Sequence, residues 1–122
     1  MATVLTNQGE EWLVDRAVGT AVDDAEWIGW GTGNGTAAKS DTTLFTEASE
    51  DREQATVTRE GTGASAVLQA VATMVSESTQ EITNAGLFTA STSGTLVVKG
   101  DFSGIALAED DAIEFTFTLD PS

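Results

Sequence analysis

The chain predicts a mainly β fold, an antiparallel β-sandwich or jelly-roll-like barrel preceded by one short N-terminal helix. Three observations lead there. Beyond residue 20 apolar side chains recur at every second position, and clusters of Gly, Ser, Thr and Asp cut those runs into strand-sized pieces. The length, 122 residues, suits one core and no more. The whole chain, 1–122, therefore reads as a single domain, with the helix at about 8–18 and the sandwich at about 25–120.

The helix comes first. Asn7 stands at an N-cap position with Glu10 three residues on, an Asn version of the capping box, and Gly19 stands where a left-handed C-terminal residue belongs. Leu13 and Ala17 are four apart, as are Val14 and Val18, which predicts an apolar stripe against a sheet or a neighbouring subunit. Next, Trp27, Ile28 and Trp30 read as a short strand. The glycines that follow at alternate positions, Gly29, Gly31, Gly33 and Gly35, read as a tight turn with positive φ.

"EQATVTRE" and "EITNAGLFTA" are further strands, and residues 91–94 form a hairpin loop. In "SAVLQAVATMVSES" Ala66, Leu68, Ala70, Ala72 and Met74 share one face while Val67, Val71 and Val75 share the other. That predicts a long central strand whose second face is covered by another subunit. "GTLVVKGDF" turns Leu96, Val98 and Phe102 inward against Thr95, Lys99 and Asp101, with Gly100 as a bulge or a point of close approach. "AIEFTFTLD" sets Ile113, Phe115, Phe117 and Leu119 inward, against Glu114, Thr116, Thr118 and Asp120.

Charge narrows the function classes. Twenty acidic residues face five cations, Arg16, Lys39, Arg52, Arg59 and Lys99, for a net charge of −15. Nucleic acid and anionic membrane surfaces both need a basic patch, so neither is expected as a partner. A dispersed acidic surface repels itself, and salt relieves the repulsion because the screening length falls to about 3 Å at 1 M. A high-salt environment is the expectation; an acidic mesophilic protein, or one docking on a basic partner, is the alternative.

Cysteine and histidine are both absent, which removes disulfides, thiolate nucleophiles, the usual zinc sites, and triads built on histidine. The N-terminus lacks a basic stretch followed by an apolar run, and no run of about 18 apolar residues occurs, so neither a signal peptide nor a membrane span is expected.

No candidate for chemistry survives its own spacing. The glycine run is G-x-G-x-G-x-G: Asn34 occupies the third glycine position of a dinucleotide fingerprint, and no Gly-Lys-Ser/Thr follows as in a phosphate loop. The adjacent carboxylates Asp23/Asp24 and Glu109/Asp110/Asp111 form no D-x-D-x-D-G cation loop. Glu26 beside Trp27 and Trp30 is the nearest approach to a carboxylate with a sugar platform. The chain is expected to be non-enzymatic, with no catalytic, cofactor-binding or metal-ligating residue. Asn34-Gly35-Thr36 matches the N-glycosylation pattern.

The segments "LTNQGEEWLVDRAVG", "WIGWGTGNGTAAKSDTTLFTE", "ITNAGLFTAS" and "GTLVVKGDFSGIALAEDDAIEFTFTL" together resemble a group of small virion proteins of tailed bacterial and archaeal viruses. The resemblance spans nearly the whole chain and rests on turns and core positions. It implies a non-enzymatic structural protein, a capsid decoration or vertex turret, or alternatively a tail or fibre component or a host-glycan receptor-binding module. With the acidity it implies a haloarchaeal tailed virus and a place on the exterior of the particle. Expected partners are further copies of itself, as a trimer or pentamer, and virion proteins such as the major capsid protein. Aromatic residues concentrate at interface cores, so Trp12, Trp27, Trp30 and Met74 are the candidate contact residues.

Overall fold

The structure, a computed structural model, describes residues 2–20 and 23–120. The elements are β1 (Ala2–Leu5), α1 (Asn7–Val18), β2 (Trp27–Gly31), β3 (Glu53–Gln54), β4 (Thr56–Glu60), β5 (Val67–Val75), β6 (Gln80–Phe88), β7 (Leu96–Leu107) and β8 (Ala112–Leu119). A single 3-10 turn, Gly63–Ser65, joins β4 to β5.

Two antiparallel sheets face each other, a five-stranded one in the order β1-β7-β6-β2-β3 and a three-stranded one in the order β4-β5-β8. The expected mainly β class and the short helix are as predicted, and the sheets make an open sandwich; they do not close into a barrel. "EQATVTRE", read as one strand, is two. The chain bends at buried Ala55, whose N–H donates to the Glu26 carbonyl, so β3 pairs with β2 while β4 crosses over to pair with β5. Strand β1 carries no alternation strong enough to announce it. Its four residues pair with β7 from Ala2 opposite Asp101 to Leu5 opposite Val98.

The helix starts one residue earlier than its signal suggested. Thr6, fully buried, is the N-cap: its hydroxyl accepts from the Gly9 N–H and donates to the Leu96 carbonyl at 2.5 Å, tying the cap to β7. Asn7 is exposed and lies inside the helix. Gly19 ends it at φ 88, as expected. The buried face differs from the predicted stripe. Gly9 and Trp12 meet β7, whereas Val14 and Val18 are 59% and 74% exposed.

One face of the five-stranded sheet carries Ile28, Trp30, Ala85, Leu87 and Val98 into a core shared with Ala70, Ala72, Met74, Phe117 and Leu119 of the other sheet. Phe115 bridges the two sheets, edge-on to Trp30 at 6.2 Å and stacked on Phe117 at 6.4 Å. The opposite face of the large sheet is buried as well. It holds Trp27, Phe88 and Leu96, and residues 32–52 lie across it as a covering layer with Leu44 inserted.

That layer explains the glycine run. Gly29 and Gly31 point toward it from β2, and Gly86 does so from β6. A Cβ on Gly31 would collide with the Phe45 carbonyl, one on Gly33 with Thr46, and one on Gly86 with Leu96 and Leu44. Of the four glycines only Gly35 has positive φ, at 159; Gly29, Gly31 and Gly33 do not, so most of the predicted glycine turn is an extended floor on which another segment rests. Gly31→Ala is expected to cost about 1–3 kcal/mol through overpacking, read as a lower denaturant midpoint at unchanged m-value. A cost under a few tenths would show that the layer yields freely.

Candidate functional site

Polar chemistry in this molecule converges on two places, both on or beside the covering layer. At the first, Lys99, predicted on an exposed polar face, is 1% exposed. Its ammonium donates to Asp41 Oδ2 at 3.0 Å and to the Thr43 carbonyl at 2.8 Å, and stands 3.3 Å from the centre of the Phe45 ring. Three neighbours thus replace its water, all from the covering layer. Burial pushes the Asp41 carboxyl up, but hydrogen bonds from the Ala38 N–H and Lys99, with the Lys99 charge, carry it below its ordinary value.

Arg52 clamps the same layer further along. It binds Glu47 with both arms, at 2.8 and 3.0 Å, donates to the Ala90 and Ser93 carbonyls in the hairpin loop, and lies over the Phe88 ring at 3.5 Å. Asn84, fully buried on the strand beneath, accepts from the Phe45 N–H and donates to the Phe45 carbonyl. Asp101 accepts from the N–H groups of Ala2 and Ala37. Gly100 pairs regularly with Ala85; the register shifts of β7 lie to either side of it, so it is a close-approach point against Thr3 and no bulge.

The second place is Glu50, 7% exposed. Its carboxylate accepts from Trp30 Nε1 at 3.0 Å, from the Glu77 N–H at 2.9 Å and from the Gln80 amide. Burial alone would raise its pKa; the donors outweigh burial, and the net direction is down. A carboxylate held ionised in this way is not poised as a general acid. An acidic recess of about 540 Å³ opens beside it, lined by Asp51, Glu53, Glu77, Glu109 and Asp110. Among the described residues no three carboxylates are grouped to hold a metal ion, and no helix is long and apolar enough to cross a membrane.

The sequence-predicted contact residues fall mostly inside. Trp12, Trp30 and Met74 belong to the protomer's own core. The Trp12 indole donates to the Asp23 carbonyl at 2.7 Å, and Trp30, 1% exposed, is closed to a sugar ring. Trp27 is half-buried against Leu44, Phe88 and Leu96. Asn34 is exposed. Trp12, Trp30 and Met74 share one core, while Trp27 lies on the other face of the large sheet and Asn34 at the surface.

What the sequence reading missed is a groove between α1 and the β4–β5 hairpin. About 350 Å³ in volume, it is lined by Leu13, Val57, Ala66, Val67, Leu68 and Leu119, with Arg59 at its side. It continues along the helix past Trp12, Ala25 and Arg16. Four of the five cations have a carboxylate partner: Arg16 with Asp24, Lys39 with Glu10, Arg52 with Glu47 and Lys99 with Asp41. Arg59 has none among the described residues. The signal that could have found the groove was Val57 beside Arg59 in a strand otherwise of threonines; without knowing which strand lies over the helix it points nowhere.

Because Glu50 and Asp41 are both held below their ordinary carboxylate values, the stability they contribute is complete above the normal carboxylate range and drains as pH falls through it. Glu50→Gln should destabilise by about 1–3 kcal/mol near neutrality, since an amide NH₂ then faces donors. It should also flatten the acid limb of the stability curve, measured by denaturant titration from pH 7 to about 3. An acid limb as steep as in the parent would mean that Glu50 does not carry it.

Comparison of the chain with protein-family models, with curated proteins and with solved structures gives no match.

Proposed function

We propose that this chain is a non-catalytic structural protein of a virion, a decoration or vertex turret protein on the capsid exterior of a halophilic tailed virus, working as a symmetric homo-oligomer against the capsid. The observation that carries this reading is the distribution of unsatisfied surface. Polar and charged groups inside the molecule are consumed in holding it together, and no buried side-chain nitrogen or oxygen among the described residues lacks a partner. Apolar surface is left over outside: the groove beside α1, and Val14 and Val18 on the far side of that helix. A molecule whose chemistry is spent internally while apolar surface remains outside is suited to assembly.

The outward face of the small sheet adds to this. It presents Thr56, Thr58, Gln69, Val71, Thr73, Thr116 and Thr118, with the carboxylates Glu60 and Glu114 toward opposite ends. Two acidic copies can approach only where carboxylates do not meet, and such a face permits it.

In molar salt, light scattering is expected to give a mass that is a multiple of 12.7 kDa, and the oligomer should bind capsids stripped of their outer proteins. A monomer without affinity for such particles would overturn the proposal. The salt requirement is tested separately by circular dichroism. Stability should fall between about 1 M and 0.1 M salt, where the screening length grows from about 3 to 10 Å; a melting temperature constant over that range would remove the halophilic part.

A further inference from the structure

We infer that the contact between copies is heterologous: the exposed ridge of α1 in one copy seats in the groove between α1 and the β4–β5 hairpin of the next. This rests on the assembly reading above and names its interface. The ridge runs through Glu11, Val14 and Val18, spaced i, i+3, i+7, and therefore aligned on one side of the helix. Val18 and Val14 are the two most exposed large apolar residues described, and Glu11 is exposed beside them.

The groove presents the matching chemistry. Its floor is Leu13, Val57, Leu68 and Leu119, and its unpaired cation is Arg59. In a chain of net charge −15, most chance encounters between copies set carboxylate against carboxylate. This encounter sets apolar against apolar and a carboxylate against the one cation that no carboxylate engages among the described residues. The match accounts for both unusual exposures at once.

Ridge and groove are different surfaces of one protomer. Leu13 lines the groove, while Val14 follows it by one residue and so lies about 100° further around the helix. A two-fold axis would require ridge and groove to meet reciprocally within one patch. Joining unlike patches repeats the contact head to tail, which closes as a ring when the rotation allows. The groove has room for this because β4 is an edge strand, all five of its residues being exposed. Side chains entering beside Val57 displace no part of the fold.

Two variants of the full chain test this, both at exposed positions so that folding is retained, with circular dichroism as the check. Val14→Lys/Val18→Lys makes the ridge cationic where it would meet Arg59; Arg59→Glu makes the groove acidic where it would meet Glu11. Each alone should weaken self-association by about tenfold or more in sedimentation over a concentration series, as expected of like charges brought face to face. Mixing the two should restore association, since the intact ridge of the second meets the intact groove of the first. Failure of the mixture to associate overturns the heterologous contact. A parent oligomer indifferent to both variants also overturns it and leaves the assembly reading standing. A parent that stays monomeric and does not bind capsids removes that reading itself.

Discussion

The structure depends on covering both faces of its large sheet. One face meets the three-stranded sheet, as in any sandwich. The other would expose Trp27, Phe88 and Leu96, and a molecule of this size has no second layer of regular structure to spare for it. Residues 32–52 serve instead. An irregular layer can lie flat on strands only if the strands present no Cβ beneath it, and Gly29, Gly31 and Gly86 meet that condition. The layer has little apolar surface of its own, so ion pairs and hydrogen bonds hold it: Lys99 to Asp41, Arg52 to the Ala90 and Ser93 carbonyls, Asn84 to both backbone groups of Phe45.

The same constraint directs the scarce positive charge. Lys99 and Arg52 have nearly buried side chains against the layer, where displacement of water strengthens each pair and makes loss of one partner costly, about 3–5 kcal/mol for a fully buried pair. Lys39 ties the layer to the start of α1 through Glu10 and the Leu5 carbonyl. With Arg16 bound to Asp24, Arg59 is the one cation without a carboxylate partner among the described residues. The surface charge is consequently mostly negative.

Strands with one clear apolar face were legible in the sequence. β8 alternates as written, β5 is the long central strand expected, and residues 91–94 turn between β6 and β7 with Ser93 and Gly94 at positive φ. Where reading failed, the cause was a second layer. Lys99 looked solvent-facing because alternation gives the face of a strand and says nothing about what lies over that face. Of the two places expected for the stripe of Val14 and Val18, a sheet or a neighbouring subunit, the protomer's own sheet is not one, because apolar spacing does not reveal which side meets the sheet; Gly9, which permits contact with the Val97 carbonyl, decides it. Trp12 and Trp30 suggested a surface role, yet each has an internal acceptor that lets its indole be buried.

By itself, then, the sequence determined the class of fold, the period of its strands, the end of its helix and the absence of thiol and imidazole chemistry. These are local properties, or properties of composition. Tertiary structure alone decided that alternate glycines form a floor, that a lysine and a glutamate are buried with saturated partners, and that one cation of five has no carboxylate partner among the described residues and stands beside an apolar groove. Each of those depends on contacts between segments tens of residues apart, which no local pattern encodes.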